Sequence, residues 1–148
     1  MSVQHSRGYA GDLLATDAYS LLQKNAAAKL VDVRTQAEWS YVGLPDLSGL
    51  DKKVVALEWQ SFPSMSVNAR FVDRLTEALN SAGAAPGDPI VFLCRSGARS
   101  RNAAIAMTAA GWSHCYNISD GFEGTLDGSG HRGLVSGWKK AGLPWAQS

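Results

Sequence analysis

The sequence is poor in cysteine and proline, and it has no excess of charge of either sign. Its 148 residues include two cysteines and five prolines, and the formal net charge is +1. Small secreted scaffolds held by disulfides carry more cysteines than this. Neither cysteine has a second cysteine or a histidine at zinc-ligand spacing, so we expect no bound metal. The balanced charge argues against a nucleic-acid partner, since such proteins show a basic stripe.

Long apolar runs are also missing. No stretch of about 18 apolar residues occurs, so we expect no transmembrane helix and no membrane partner. The N-terminal region lacks the apolar core of a secretory signal peptide. These features lead us to expect a cytoplasmic protein, in a reducing compartment where a free thiol persists.

What the sequence does contain is an alternation of apolar runs and helical patterns. Apolar runs that fit buried strands occur at 30–33, 54–57, 90–93 and 116–118. Apolar side chains recur at helical spacing in 17–25, 71–79 and 100–110. Thr16 is the expected N-cap of the first helix. Continuous apolar strands that alternate with helices predict an α/β fold, a mostly parallel central sheet with helices on both faces, in one domain, 1–148.

The last part of the chain is rich in glycine. Residues 120–133 hold five glycines and are predicted to form a long loop. Residues 137–145 are predicted to form a final helical turn. Ligands of parallel sheets bind at the carboxyl ends of the strands. Three residues after the second apolar run are expected to rim that edge, Glu58, Trp59 and Phe62.

The most informative stretch is 90–111, where an apolar run ends abruptly in Cys94. A cysteine after a strand is more often a small buried apolar side chain than a reactive one. Here a short loop and a helix N-terminus follow it, so backbone N–H groups converge near the sulfur. Such an arrangement binds anions and favours a thiolate. We therefore interpret Cys94 as a reactive thiol.

The six residues after Cys94 each fit an anion-binding loop. Gly97 allows a tight ring, and Ser96 and Ala98 are short enough to leave space above the sulfur. Arg95 and Arg99 supply positive charge. Ser100 is the expected cap of the next helix, whose dipole would then point at the thiolate. A cysteine with only a structural role needs none of these features.

A loop of this kind suits either a phosphate or a sulfur oxyanion. A cysteine phosphatase uses a cysteine, five residues and then an arginine that grips the phosphate bidentately. That pattern requires arginine at position 100, which is Ser100 in this chain. The tighter ring from Cys94 to Arg99 fits a smaller reacting centre, a single sulfur atom.

The loop from Cys94 to Ser100 resembles that of the single-domain rhodanese-like sulfurtransferases. Three further motifs resemble the same family, and with the loop they span about 8–145. They are Leu30-Val31-Asp32-Val33-Arg34 with Glu38-Trp39, then Asp120-Gly121-Phe122, and finally Trp138 with Ala141-Gly142-Leu143-Pro144. One departure is clear, since 42–46 reads Val-Gly-Leu-Pro-Asp where the family usually has Gly-His-Ile-Pro-Gly. The resemblance implies a single rhodanese-like domain behind a short N-terminal tail.

The resemblance also implies a reaction. Cys94 would attack the outer sulfur of a donor such as thiosulfate and hold it as a persulfide until a thiophilic acceptor removes it. That acceptor would be cyanide in an assay, or a thiol or a protein cysteine in a cell. No metal or organic cofactor is implied. The substrate-binding residues would be Arg95, Ser96, Gly97, Ala98, Arg99 and Ser100.

Two other functions stay open at this point. A non-catalytic module that binds a partner or an anion is one of them, although such modules usually lack the cysteine. A cysteine-based phosphatase or arsenate reductase is the other, and it is disfavoured by the serine at position 100.

Several residues outside the loop have two interpretations. Asp32 and Arg34 share a face of one strand end, where they would either brace the active loop or form a structural ion pair, such as Arg34 with Glu38. We favour the ion pair. Cys115 is expected to be a buried, inert thiol, and a resolving thiol is the alternative. The three histidines show no partner pattern and are assigned no chemistry.

Overall fold

A five-stranded parallel sheet forms the centre of the molecule. The computed structural model describes residues 8–61 and 64–147. Its strands are β1 (Gly11–Leu13), β2 (Lys29–Asp32), β4 (Val55–Ala56), β7 (Ile90–Leu93) and β8 (Cys115–Ile118). Their order across the sheet is β1-β8-β7-β2-β4, and every neighbouring pair is parallel. The predicted α/β class with a parallel sheet is confirmed.

Helices cover both faces of this sheet, as predicted. The helix α1 (Ala15–Lys24) packs its buried side chains into one apolar cluster with Leu30, Val91 and Leu93. The helices α3 (Phe71–Ser81) and α4 (Ala98–Ala109) pack into a second cluster with strand side chains of the opposite face. Side chains alternate between the two clusters along each strand, as the pleat requires. The remaining helix, α2 (Gln36–Val42), follows β2 and buries none of its residues.

Two short antiparallel pairs lie outside the main sheet. One joins β3 (Leu44–Pro45) to β9 (Trp145–Ala146), and the other joins β5 (Gln60–Ser61) to β6 (Ser66–Val67). The predicted helical turn over 137–145 is confirmed in its first part, because the Ala141 N–H donates to the carbonyl oxygen of Gly137 at 3.0 Å and Gly142, with φ of 75°, ends the turn. Beyond it the chain enters β9. Trp145 pairs with Pro45, so a partner distant in the sequence decides this segment's structure.

The start of α1 also differs from the expectation. Thr16 is not the cap, because the helix begins at Ala15. The Ala15 N–H donates to Asp120 Oδ1 at 2.9 Å, so a carboxylate 105 residues away satisfies the first turn. The other oxygen of Asp120 accepts from the Gly137 N–H at 3.1 Å. Asp120 thereby ties α1 to the end of the glycine-rich loop.

Across residues 8–61 and 64–147, the structure has no helix long and apolar enough to cross a membrane.

Candidate functional site

Cys94 lies directly after β7, at the carboxyl edge of the sheet. Its side chain is only 1% exposed. The Gly97 N–H donates to Sγ at 3.1 Å, and the Ser100 hydroxyl is a second donor at 3.2 Å. Two donors from the following loop and the first turn of α4 therefore converge on the sulfur, which is the geometry that an anionic sulfur requires.

Ser100 does not cap α4, contrary to the expectation. The helix begins at Ala98, and Gly97 occupies the N-cap position with φ of 110°. The Ser100 side chain is instead buried beneath the loop, where its Oγ lies 2.5 Å from Asn117 Oδ1 and 3.2 Å from Cys94 Sγ. A hydroxyl has one proton, so Asn117 and Cys94 compete for the same donor.

Asn117 is a residue of this site that the sequence analysis did not find. It lies on β8 and is 2% exposed. Its Nδ2 donates to the carbonyl oxygen of Gly97 at 3.2 Å and to Asp12 Oδ1 at 3.1 Å. It therefore holds both the Ser100 hydroxyl and the backbone of the cysteine loop. An asparagine in a strand has no local pattern that would reveal this role.

The glycine-rich segment grips the cysteine loop by its backbone. The Phe122 N–H donates to the carbonyl oxygen of Cys94 at 2.8 Å, and the Glu123 N–H donates to that of Arg95 at 3.0 Å. This contact is tight, because a Cβ on Gly121 would overlap the Arg95 carbonyl. The segment predicted as a plain loop is thus the support of the site.

Arg99 is paired with a carboxylate, which changes the role expected for its charge. Its two terminal nitrogens donate to the oxygens of Glu38 at 2.6 and 2.9 Å. Glu38 also completes a capping box with Thr35 at the start of α2. Burial raises the pKa of the Glu38 carboxyl, but the hydrogen bonds from Arg99 and the Thr35 backbone outweigh it, and the pKa is lowered overall. The pair is therefore charged at neutral pH.

Asp32 and Arg34 form an ion pair with each other, fully buried, with Arg34 Nη2 2.7 Å from Asp32 Oδ2. The expected ion pair between Arg34 and Glu38 does not form, because Glu38 is bound to Arg99. Arg34 also donates to the carbonyl oxygen of Gly43 at 2.6 Å, and its guanidinium lies 4.1 Å from the centre of the Phe122 ring. Because Phe122 holds the Cys94 carbonyl, the ion pair braces the active loop as well.

A cleft of about 1160 Å³ opens over the thiol. Its walls come from the cysteine loop, from α2, from the β5–β6 hairpin and from the glycine-rich loop. Four of the six predicted binding residues line it with the thiol, Arg95, Ser96, Ala98 and Arg99, whereas Gly97 and Ser100 are buried beneath. His131, which was assigned no chemistry, lies in the glycine-rich loop and also lines the cleft.

Neither of the two described residues that were predicted to rim this edge, Glu58 and Trp59, lines the cleft. Glu58 Oε2 accepts from the Gln36 N–H at 2.9 Å and so holds the start of α2. Trp59 packs edge-on against Phe71, with ring centroids 5.0 Å apart, in the apolar cluster. Phe62 lies outside the described residues. The hairpin that follows contributes Gln60 and Met65 to the cleft instead.

Cys115 is buried at the amino end of β8, so it lies at the opposite end of the strands from Cys94. It pairs with Ile90, the first residue of β7, whereas Cys94 follows the last, so about four residues of strand, on the order of 13 Å, separate the two positions. Burial raises the pKa of the Cys115 thiol to about 12. A resolving role is therefore disfavoured by both distance and ionisation.

We expect iodoacetamide at pH 8 to label Cys94 and to leave Cys115 unmodified in the folded protein. With a pKa of about 12, only about one Cys115 thiol in ten thousand is ionised at that pH. Intact mass and peptide mapping measure the sites. A second label should appear only after unfolding in guanidinium, and a doubly labelled folded protein would contradict the prediction.

Comparison with known proteins gives the family. Residues 11–148 match the family model described as the STR4 middle domain. An uncharacterized protein of Rickettsia conorii is 42% identical over 145 residues, which is 98% of each chain. Rhodanese-like domain-containing protein 4 of Arabidopsis thaliana, chloroplastic, is 25% identical over 133 residues, 90% of this chain and 25% of that protein.

Solved structures agree with this assignment. Rv0390 from M. tuberculosis matches with a TM-score of 0.85 and 46% identity, over 95% of this chain and 99% of that one. The polysulfide-sulfur transferase homodimer of Wolinella succinogenes matches with a TM-score of 0.59 and 25% identity, over 96% and 83% of the two chains. The fold is rhodanese-like, and the chain belongs to the STR4 middle domain family.

Proposed function

We propose that the protein is a sulfurtransferase that moves a sulfane sulfur from a donor such as thiosulfate to a thiophilic acceptor, through a persulfide on Cys94. The observation that carries the proposal is the Cys94 thiol at the cleft floor, with the Gly97 N–H and the Ser100 hydroxyl directed at its sulfur. A relative of similar fold is described as a polysulfide-sulfur transferase, which supports the same class of chemistry.

The reaction proceeds in two displacements on sulfur. The Cys94 thiolate attacks the outer sulfur of thiosulfate, the S–S bond of the donor breaks, and sulfite leaves with the electron pair. Cys94 then carries a persulfide anion whose outer sulfur lies about 2 Å beyond Sγ, toward the cleft. Cyanide or a thiolate attacks that outer sulfur, and the Cys94 thiolate is released. Charge and sulfur balance in both steps, and no net oxidation is needed.

A phosphatase is disfavoured by the observed pairing of Arg99. A phosphate would need a guanidinium free to grip two of its oxygens. Arg99 already uses both terminal nitrogens on Glu38, and position 100 holds the buried Ser100. Arg95 has no hydrogen-bond or ion-pair partner in the described part of the chain, but it directly follows Cys94, whereas the phosphatase pattern needs its arginine at position 100.

The proposed function is tested by incubating the protein with thiosulfate and measuring its intact mass under non-reducing conditions. We expect a gain of one sulfur atom, lost again on addition of cyanide with the appearance of thiocyanate. A protein that gains no sulfur from thiosulfate, polysulfide or an alkyl persulfide is not a sulfurtransferase. That result would favour the non-catalytic binding module instead.

We expect Glu38→Gln to increase kcat/KM for thiosulfate by about threefold to tenfold at low ionic strength, because it frees the Arg99 charge to attract a dianion. Glutamine at this position still completes the capping box of α2, so the helix should be retained. Steady-state thiocyanate formation measures the effect, which should fade as salt screens the charge.

Glu77→Gln is the matched control for this change. Glu77 is exposed on α3 and does not line the cleft, so its replacement alters the net charge equally. It should leave kcat/KM for thiosulfate within about twofold, since the charge lies outside the site. A decrease in kcat/KM with Glu38→Gln would mean that the ion pair positions the loop and does not restrain Arg99.

A further inference from the structure

We propose that the cleft above Cys94 receives a cysteine-bearing peptide segment of a partner protein, with apolar side chains near the cysteine and a carboxylate beside it. This proposal rests on the proposed function, in which the Cys94 persulfide passes its outer sulfur to a thiol, and it names the acceptor. Four features of the cleft carry the proposal, namely its size, its rim, its charge and the depth of the thiol.

The cleft is far larger than a small sulfur donor needs. Scaled from the roughly 30 Å³ that one water takes up in the liquid, a five-atom oxyanion needs on the order of 100 Å³. The cleft holds about 1160 Å³, above the range of about 300–1,000 Å³ for sites of drug-sized ligands. The volume therefore fits a stretch of polypeptide.

The rim of the cleft is apolar and exposed. Three separate segments each place large apolar side chains there: Tyr41 of α2 is 82% exposed, and Met65 of the β5–β6 hairpin is 39% exposed. In the glycine-rich loop, Leu126 and Leu134 are 55% and 59% exposed. Exposed apolar side chains that cluster around a concave site mark contacts with a partner. Their spread over three segments suits an occupant with several side chains.

The glycine-rich loop is built to present its part of this rim. Asp127 Oδ1 accepts from the backbone N–H groups of Ser129 and His131, at 2.8 and 2.9 Å. Arg132 Nη1 donates to the carbonyl oxygen of Gly124 at 2.8 Å. These bonds close the loop on itself, so Leu126 and Leu134 are held at the cleft at low cost in conformational entropy.

The charges that remain at the cleft favour an anionic occupant. Arg99 is neutralised by Glu38. Within the described residues, Arg95 and Arg132 line the cleft with no carboxylate at ion-pair distance. Glu123 is the one further carboxylate of the lining, so two cations stand against one anion there. One acidic side chain next to the acceptor cysteine would find these cations, and charge complementarity of this kind sets orientation and association rate.

The depth of the thiol completes the argument. Cys94 is 1% exposed, so an acceptor must reach the persulfide with a narrow group while its bulk stays at the rim. A cysteine side chain on an extended peptide does this. Its thiolate attacks the outer sulfur, a new S–S bond forms on the peptide, and the Cys94 thiolate leaves, so charge and sulfur balance.

The test is the binding of a fluorescein-labelled nonapeptide to the full chain, measured by fluorescence anisotropy. Serine stands at the centre in place of cysteine, so that no sulfur chemistry intervenes; glutamate precedes it, and leucine lies two residues to either side. We expect versions with serine for both leucines, or lysine for glutamate, to bind about tenfold more weakly. Equal binding of all three peptides would overturn the proposal.

The protein offers matched variants for the same measurement. We expect the double variant Leu126→Ser, Leu134→Ser to weaken binding of the first peptide by about tenfold. Val135→Ser is the control, because Val135 is 55% exposed next to Leu134 but does not line the cleft. Equal losses in the two proteins, or none in either, would overturn the proposal.

Loading with thiosulfate and discharge by cyanide, measured on the unmodified protein, separate this proposal from the proposed function. If Cys94 takes up no sulfur while peptide binding is selective, the sulfurtransferase fails and the docking surface stands. If sulfur passes from thiosulfate to cyanide while binding is not selective, the docking surface fails and the sulfurtransferase stands.

Discussion

Replacing Cys94 by serine is expected to abolish sulfur uptake, with a loss on the order of a thousandfold or more in thiocyanate formation. A hydroxyl cannot form a persulfide, and it is un-ionised and a weak nucleophile at neutral pH. The serine oxygen can still accept from the Gly97 N–H and the Ser100 hydroxyl, which hold the sulfur now. The loop should therefore keep its structure, and the melting temperature should change little. Intact mass after thiosulfate measures the uptake.

The second cysteine supplies the control for this experiment. Cys115→Ser makes the same chemical change at a buried position whose Sγ donates to the Trp112 carbonyl at 3.3 Å, a bond that a hydroxyl can keep. It should leave sulfur uptake unchanged. Retained uptake in Cys94→Ser, or loss in Cys115→Ser with the fold intact, would show that the persulfide does not form on Cys94.

The main sheet and the position of the cysteine loop could be predicted because local patterns determine them. Continuous apolar runs identify strands that are buried on both faces. A strand that ends in Cys94 and is followed by Gly97 must place the thiol at the carboxyl edge of a parallel sheet. These inferences use residues close together in the sequence, and the structure agrees with them.

The contacts that complete the site could not be predicted, because they join residues distant in the sequence. Arg99 and Glu38 are 61 residues apart, and Asp12 and Asn117 are 105 apart. Position alone suggested that Ser100 would cap α4. The chain instead turns into the helix two residues earlier, since Gly97 adopts a positive φ that other residues rarely adopt.

The expectation that Arg34 pairs with Glu38 is wrong for the same kind of reason. Sequence spacing places Glu38 four residues from Arg34, but α2 begins between them and directs Glu38 toward α4. Arg34 stays behind in the core with Asp32, under the ring of Phe122. Two ion pairs are therefore present where one was predicted, and each has a separate role. One neutralises the cleft wall, and the other braces the segment that holds the cysteine loop.

A substitution in the glycine-rich segment, which holds the cysteine loop, is expected to have the second large effect on the protein. We expect Gly121→Ala to destabilise the protein by about 2–5 kcal/mol, from roughly 1–2 for a left-handed backbone and about 1–3 for overpacking. Gly121 has φ of 68°, and a Cβ there would overlap the backbone of Arg95. The expected decrease in melting temperature is about 5–15 °C for a chain of this length. Sulfur uptake should decrease as well, because the clash displaces the residue that follows Cys94.

Gly128→Ala separates this local clash from a general effect of alanine in the glycine-rich loop. Gly128 lies in the same segment, but its φ is not positive and a Cβ there meets nothing within 4 Å. It should change stability by no more than about 0.5 kcal/mol and leave sulfur uptake intact. If the two alanine variants behave alike, the glycine-rich segment is only a connection, and the cysteine loop keeps its shape without it. If only Gly121→Ala loses both stability and uptake, the close approach of this backbone to Arg95 is what holds the thiol in place.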